Sequence, residues 1–68
     1  MKNRIRELRK ERALTQEALG TLVGVSRRTI ISIENDRFDP SLPLAFRIAD
    51  TFGLRIDEIF TPTPTPSA

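Results

Sequence analysis

The 68-residue sequence predicts a small all-α domain of five helices, and three features of the chain support this fold class. Apolar residues recur at the spacing of amphipathic helices, most clearly at Ala45, Ile48, Ala49 and Phe52. Serine or threonine precedes several of these segments, and glycine follows two of them, as expected for helix starts and ends. Alternating prolines are confined to the last residues of the chain, outside the helical pattern.

Composition excludes several classes of function. The chain contains no cysteine and no histidine, which removes disulfides, thiol nucleophiles, zinc sites and the usual general base. We therefore expect no enzyme, no metal and no other cofactor. No apolar run approaches the ~20 residues needed to cross a bilayer, and the first residues lead into an amphipathic helix rather than a signal peptide, which predicts a cytoplasmic protein.

The net charge of +2 is unevenly distributed along the chain. Residues 1–12 carry six basic and two acidic side chains, residues 13–35 carry two of each, and residues 36–68 carry three basic and five acidic. The N-terminal part is therefore expected to attract anions, and the C-terminal part is not.

Local signals position the first two helices. The first helix, about residues 3–12, presents Ile5 and Leu8 to the core. Thr15 is an N-cap candidate for the second helix, because its hydroxyl can accept a hydrogen bond from a first-turn amide. Gly24 ends this helix, since a helix that ends in a left-handed residue favours one without a Cβ.

A tight turn separates the second helix from the third. Ser26 can cap the third helix, about residues 27–35, and Ile30 and Ile33 give that helix a buried face. Gly20 stands in the second helix where the two helices cross most closely. Its missing side chain permits this contact at a propensity cost of about 1 kcal/mol.

The fourth helix and the tail follow from proline and serine positions. Ser41 is a suitable cap, and Pro43 is tolerated only because the first helical turn needs no amide donor. This helix stops near Gly53, and a short fifth helix spans about residues 56–60. Residues 61–68, TPTPTPSA, form a disordered tail after a domain of residues 1–60, although partner binding by the tail stays open.

The run TQEALGTLVGVSRRTIISIEND resembles the helix-turn-helix of the lambda-repressor and Cro-like family of DNA-binding regulators, also called the xenobiotic-response-element family. The preceding LRKER and the following DPSLPLAFRIADTFGLRIDEIF are similar to that family's first, fourth and fifth helices, so the resemblance covers roughly residues 3–60. It implies a transcriptional regulator, more specifically a repressor, that inserts its third helix into the major groove of double-stranded DNA. Arg55 stands where the family often has a serine cap, so we expect the fifth helix to fray.

The resemblance also implies a set of DNA contacts. Arg27, Arg28 and Ser32 occupy the family's principal base-contacting positions, and arginine can bind guanine O6 and N7 as a bidentate fork. The alternative is that both arginines grip only the phosphate backbone. Backbone contacts are expected from Gln16, Thr29, Asn35 and Arg37. Thr29 could also touch a thymine methyl.

Four residues carry further expectations from the same resemblance. Arg9 is expected to form a structural ion pair with Glu34, and phosphate contact by Arg9 is the alternative. Ile31 replaces a residue that is usually polar; it could pack under the following loop or touch a thymine methyl, and we favour packing. Asp36 replaces the usual glycine, and its negative charge would weaken a grip on phosphates.

We expect a homodimer on a palindromic operator, because two recognition helices spaced about one DNA turn (~34 Å) apart bind more base pairs than one helix can. The expected interface combines the end of the fourth helix with the fifth, and the same residues could instead close the monomer core: Phe52, Leu54, Ile56, Ile59 and Phe60. The alternative function is a protein-interaction module, for example an antitoxin-like scaffold, with no small-molecule ligand in either case.

Overall fold

The computed structural model describes residues 1–61, which form five helices and one small antiparallel sheet, and it confirms the predicted all-α fold class. The elements in chain order are β1 (Lys2–Asn3), α1 (Ile5–Glu11), α2 (Gln16–Val23), α3 (Arg27–Glu34), α4 (Leu42–Phe52), α5 (Ile56–Ile59) and β2 (Phe60–Thr61). Over this part of the chain, no helix combines the length and apolarity that a membrane span requires.

Three helices begin at the expected hydroxyl caps. The side-chain oxygens of Thr15, Ser26 and Ser41 each accept a hydrogen bond from the backbone N–H three residues ahead, at 3.0 to 3.3 Å. Pro43 lies in the first turn of α4, where its missing N–H leaves no helical bond unmade. The predicted starts of α2, α3 and α4 are therefore confirmed.

The fifth helix is held at its start by a hydrogen bond from the backbone of Arg55 to a side chain within α5. The Glu58 carboxylate accepts a hydrogen bond from the backbone N–H of Arg55 at 2.8 Å, so a side chain from inside α5 satisfies the donor that a serine cap would leave free. This bond opposes the fraying that we expected from the missing serine.

Four helices end in the same backbone motif. A residue with a left-handed backbone follows each of them, and the next N–H donates to the carbonyl five residues back at 2.9 to 3.1 Å, which is the Schellman arrangement. The left-handed residues are Ala13, Gly24, Asp36 and Gly53, with φ of 54°, 81°, 60° and 65°. Gly24 is confirmed in its predicted role, whereas Ala13 and Asp36 adopt this conformation although they carry a Cβ.

Replacing Ala13 by glycine is expected to stabilise the domain by about 1 kcal/mol, because an L-residue in the left-handed region costs roughly 1–2 kcal/mol that glycine avoids. The matched control is Ala18→Gly inside α2, where the same change should destabilise by about 1 kcal/mol. Urea unfolding followed by circular dichroism measures both. A loss of stability in both variants would contradict the strain at Ala13.

The core takes apolar side chains from all five helices and from β2. Leu19 and Ile30 are 0% exposed, so α2 and α3 meet through fully buried side chains. The buried set is Ile5, Leu8, Leu19, Val23, Ile30, Ile33, Leu44, Ala45, Ile48, Ala49, Phe52, Ile59 and Phe60.

This core takes up most of the residues expected at a dimer interface. Phe52, Ile59 and Phe60 are at most 4% exposed within one protomer, so they follow the alternative we gave and close the monomer core. They have no surface to offer a second copy. Leu54 and Ile56 are half-buried at the edge of the same cluster and keep part of their surface exposed.

The two ends of the domain are joined by the antiparallel pair of β1 and β2. Lys2 pairs with Thr61, and Asn3 pairs with Phe60. The first helix therefore begins at Ile5, two residues later than expected, since Asn3 belongs to the strand. Thr61, which we assigned to the tail, lies in β2, and the remaining tail residues 62–68 lie outside the described part of the chain.

Gly20 is required by a close backbone approach between α2 and the turn that follows it, which agrees in part with the predicted close crossing of α2 and α3. A Cβ at this position would lie 2.6 Å from the carbonyl oxygen of Val25 and 3.3 Å from the carbonyl carbon of Ser26. The crowding atoms belong to the turn between α2 and α3, not to the side chains of α3. Gly20 thus fixes how closely the turn folds over α2.

Candidate nucleic-acid interface

The N-terminal end of α3 presents two arginines to solvent. Ile30 and Ile33, 0% and 1% exposed, fix the buried side of the helix. Arg27 and Arg28 are both exposed, and within residues 1–61 neither guanidinium takes part in a hydrogen bond or ion pair. Both groups are therefore free to bind an external acceptor.

The other two predicted contacts on α3 are less exposed. Thr29 is half-buried, and its hydroxyl lies 3.1 Å from the Ser26 hydroxyl, so part of its hydrogen-bonding capacity is used in the helix cap. Ser32 is half-buried, and its carbonyl accepts the closing bond from Arg37 at 2.9 Å. The Arg37 side chain itself is exposed.

Glu34, at the C-terminal end of α3, is the centre of a buried ionic network. Its side chain is 0% exposed. Arg9 donates from Nε to Oε2 at 2.9 Å and from Nη2 to Oε1 at 3.3 Å, and Arg6 donates from Nε at 3.4 Å. Gln16 adds a bond from Nε2 at 3.2 Å. The network therefore joins α3 to α1 and to the first turn of α2.

The pKa of Glu34 reflects these contacts. Burial by itself raises the pKa of this carboxyl, but the hydrogen bonds from Arg9 and Gln16 and the charge of Arg9 outweigh burial, so its pKa lies below the ordinary value of 4.5. Glu34 is therefore ionised at neutral pH and holds its partners as a carboxylate.

Arg9 is committed to the interior of the domain. Its side chain is only 12% exposed. Besides its two bonds to Glu34, it donates from Nη1 to the carbonyl of Leu14 at 2.9 Å. All three guanidinium nitrogens are thus engaged, and the structure places Arg9 in the ion-pair geometry rather than facing solvent.

Gln16 and Asn35 are each held by one side-chain contact that leaves other groups free. Gln16 uses one amide hydrogen toward Glu34, and Asn35 accepts at Oδ1 from Arg6 Nη2 at 3.2 Å. An amide group has two N–H donors, so among the described residues 1–61 both donors of Asn35 and one donor of Gln16 have no partner. Gln16 also lines, with Lys10 and Arg27, a shallow polar cleft at the junction of the first three helices.

Asn3 supports the same end of α3 and was not identified from the sequence. Its Nδ2 donates to the carbonyl of Ile33 at 2.8 Å, and its Oδ1 accepts from the backbone N–H of Ile5 at 3.1 Å. One side chain therefore ties α3 to the start of α1. An asparagine just before a helix is a recognisable local signal. Its bond to Ile33 spans 30 residues, so it could not be predicted from the neighbouring sequence.

The arginines of the basic N-terminal segment have partners inside the domain, but the segment keeps its excess of positive charge, so the expectation that it attracts anions stays a prediction. Arg4 pairs with Glu7 at 2.8 Å, and Arg12 donates to the carbonyls of Thr51 and Phe52 at 3.1 and 2.7 Å. With Arg6 and Arg9 bound to Glu34, all four arginines of residues 1–12 have internal partners. Within residues 1–61, the two lysines of this segment have no side-chain partner.

Asp36 lies between two of the predicted backbone contacts. Its φ of 60° is left-handed, a conformation for which glycine is best suited. An aspartate in place of the family's usual glycine therefore adds both backbone strain and a negative charge at this position. Its exposed carboxylate sits between Asn35 and Arg37.

These features together define a compact domain in which α2 and α3 form a helix-turn-helix and α3 presents free arginines to solvent. Domains of this class bind the major groove of DNA. The chain belongs to the helix-turn-helix family of the lambda-repressor and Cro type, whose sequence profile matches residues 5–59. Members of this family are DNA-binding regulators of transcription, so the protein is a repressor-like regulator and not an enzyme.

Similar proteins agree with this assignment. An uncharacterised HTH-type transcriptional regulator of Methanocaldococcus jannaschii is 53% identical over 60 residues, which cover 88% of this chain and 91% of the relative. The P22 c2 repressor, solved in complex with a synthetic operator, matches with a TM-score of 0.77 and 31% identity, covering 79% of this chain and 82% of the repressor. The restriction-modification controller protein C.AhdI from Aeromonas hydrophila matches with a TM-score of 0.76 and 32% identity, covering 84% of this chain and 86% of the controller.

Proposed function

We propose that this protein is a sequence-specific transcriptional repressor that inserts α3 into the major groove of a palindromic operator as a homodimer. The observation that carries the proposal is the pair of exposed, unengaged guanidinium groups of Arg27 and Arg28 at the start of a helix whose other end is fixed by buried bonds. The N-terminal residues of a recognition helix are the ones that reach base edges.

The buried network supports this role because it fixes α3 relative to the rest of the binding surface. Glu34 receives bonds from Arg9 and Gln16, so the angle between α3 and the first turn of α2 is set before DNA is bound. A helix held in this way loses little conformational freedom on binding. Arg27, Arg28 and Ser32 are then the residues that read bases in this proposal.

Phosphate contacts are proposed on both sides of α3. Gln16 lies in the first turn of α2, where backbone amides favour an anion, and it retains one free N–H donor. Asn35 keeps both amide donors free while Arg6 holds its oxygen. Arg37 and Thr29 complete the set, and the carboxylate of Asp36 reduces the affinity of this end for phosphate.

The dimer surface proposed from the structure differs from the expected one. Phe46 on α4 is 53% exposed, and together with Leu54 and Ile56 it lines a shallow apolar depression. Asp50, Arg55 and Asp57 surround this depression. A two-fold axis here would bury the apolar centre inside a polar rim, the pattern of protein interfaces, and Arg55 pairs with Asp57 of its own protomer within that rim at 2.9 Å.

Fluorescence anisotropy with labelled duplexes tests the DNA-binding part of the proposal. An operator is first selected from a random pool, and affinity for it and for random duplex is measured over a salt series. We expect log K to fall linearly with log salt concentration, because lysines and arginines displace counterions from phosphates. Salt-insensitive binding, or no binding, would favour the protein-interaction module instead.

Alanine variants of the two arginines separate base reading from phosphate contact. A bidentate arginine contributes about 1–3 kcal/mol of discrimination, so Arg28→Ala or Arg27→Ala should weaken binding to the operator far more than to random duplex. Lys2→Ala is the charge-matched control, because Lys2 and Asn3 point to opposite faces of β1 and Asn3 faces α3. Equal losses on both duplexes would limit the arginines to phosphate contact.

Sedimentation velocity tests the dimer surface. Phe46→Asp should convert the dimer to a monomer, because it places a charge in the apolar centre of the interface. Leu22→Asp is the control, since Leu22 is a similarly exposed apolar residue, 61% exposed, on α2. A wild-type protein that stays monomeric at high concentration, with and without a symmetric operator, would refute the homodimer.

Because its target is genomic DNA, the proposed regulator acts in the cytoplasm.

A further inference from the structure

Ile31 stands on the outward side of α3, although it is one of the most apolar residues of the helix. With about 100° of rotation per residue, Ile31 and Ser32 lie about 130° to either side of the buried direction that Ile30 and Ile33 define. Arg28 lies almost opposite that direction. Ile31 is therefore turned as far toward the solvent side of the helix as Ser32, which is a proposed base reader.

The surroundings of Ile31 do not bury it in the core. It is half-buried, yet within residues 1–61 it belongs neither to the buried cluster nor to the partly buried apolar residues that pack against that cluster. Those packed residues include Val25, on the turn before α3, and Leu54. Ile31 therefore does not pack on the core, and part of a β-branched apolar side chain remains exposed on α3. The packing that we favoured from the sequence was under the following loop, and this finding does not test it.

The neighbours of Ile31 on this surface are polar. In an α-helix, residues three or four apart lie side by side, so Ile31 has Arg27 and Arg28 on the side toward the N-terminus and, on the other side, Asn35 and the buried Glu34. An isoleucine among these residues can neither donate nor accept a hydrogen bond. On the major-groove edges of the bases, the C5-methyl group of thymine is the apolar feature that such a side chain can contact.

We propose that Ile31 is a specificity-determining residue that reads a thymine by contact with its C5-methyl group. This inference rests on the proposed function, since it requires α3 to lie in the major groove. It extends that function by one base in each half-site, next to the bases read by Arg28. The selected operator should accordingly contain an invariant thymine in both half-sites.

Replacing single thymines by deoxyuridine tests the contact directly, because the two bases differ only by the methyl group. On the selected operator, the wild-type protein should lose about fourfold in affinity per half-site when the contacted thymine is replaced, the value of one buried methyl-sized group. Ile31→Ala should bind the natural operator about as weakly as the wild type binds the substituted one. The same deoxyuridine change should then have no further effect on the variant.

Two further measurements keep this test specific. Ile31→Val retains a β-branched methyl and should keep most of the methyl dependence, and urea unfolding should show that Ile31→Ala is folded under the assay conditions. A selected site without an invariant thymine, or the same methyl dependence in wild type and Ile31→Ala, would overturn the inference while leaving DNA binding intact. No binding of the wild type to any duplex would overturn the proposed function and this inference together.

Discussion

Replacing Glu34 by alanine is expected to destabilise the domain by about 3–5 kcal/mol, the typical cost of removing one partner from a buried ion pair. The cost arises from the partners that Glu34→Ala would leave behind. Arg9 is only 12% exposed and would keep its positive charge without a carboxylate, while Gln16 would lose the acceptor of its amide. Since a domain of this size has little stability in reserve, the variant should be largely unfolded at room temperature.

Glu7→Ala provides the matched control. The Arg4–Glu7 pair is as short, at 2.8 Å, but its side chains are 52% and 59% exposed, so its removal should cost less than about 1 kcal/mol. Urea or thermal unfolding measured by circular dichroism compares the two variants. Similar small losses in both would mean that burial of Glu34 adds nothing to its ion pair.

Acid should weaken the domain through the same residue. The pKa of Glu34 is lower in the folded protein than its ordinary value of 4.5, so its ionic contribution is complete above that value and is lost as the pH falls through the folded pKa. The wild type should therefore lose stability below about pH 4.5, and Glu34→Gln should lack this part of the pH dependence. An unchanged acid profile in Glu34→Gln would assign the acid sensitivity to other carboxylates.

Gly20→Ala is expected to destabilise the domain by about 2 kcal/mol, even though alanine is the better helix former. The new Cβ would lie 2.6 Å from the carbonyl oxygen of Val25, a distance that forces the turn backbone to move. Overpacking of this kind costs about 1–3 kcal/mol, and a gain in helix propensity of about 1 kcal/mol offsets only part of it when the obstacle is backbone.

Thr21→Ala is the control for this effect, because Thr21 is the next residue of α2 and is exposed. It should be close to neutral or slightly stabilising. Gly20→Ala should also reduce operator affinity, since a displaced turn alters the position of Arg27. A Gly20→Ala protein as stable as Thr21→Ala would show that the turn accommodates the methyl group without strain.

Local sequence signals predicted the helices well because each helix start and end is determined within about five residues. The hydroxyl caps at Thr15, Ser26 and Ser41 and the left-handed Gly24 are examples. Each depends on a side chain and backbone groups three to five positions away, so the pattern is visible in the sequence. The exposed Arg27 and Arg28 could be located for the same reason, once the buried stripe of α3 was known.

Contacts between distant parts of the chain could not be predicted from these signals. The pairing of Asn3 with Phe60 involves strands of only two residues, too short to show alternation. The internal partners of Arg6 and Arg12 likewise lie 28 to 40 residues away. Apolar spacing also could not separate a dimer surface from a monomer core, because both bury apolar side chains at the same spacing. Phe60, which we assigned to the dimer surface, is in the core.

The left-handed residues that follow four of the helices affect how this protein can evolve by single mutations. Two of them are glycine, and the other two are alanine and aspartate, whose codons each become glycine codons through one nucleotide substitution. Ala13 lies in the turn between α1 and α2 and is not among the proposed DNA contacts, so a mutation there can increase thermal tolerance while operator choice stays the same. At Asp36 the same kind of mutation would also remove a negative charge beside the proposed phosphate contacts Asn35 and Arg37, so a lineage could tighten operator binding and gain stability in one step.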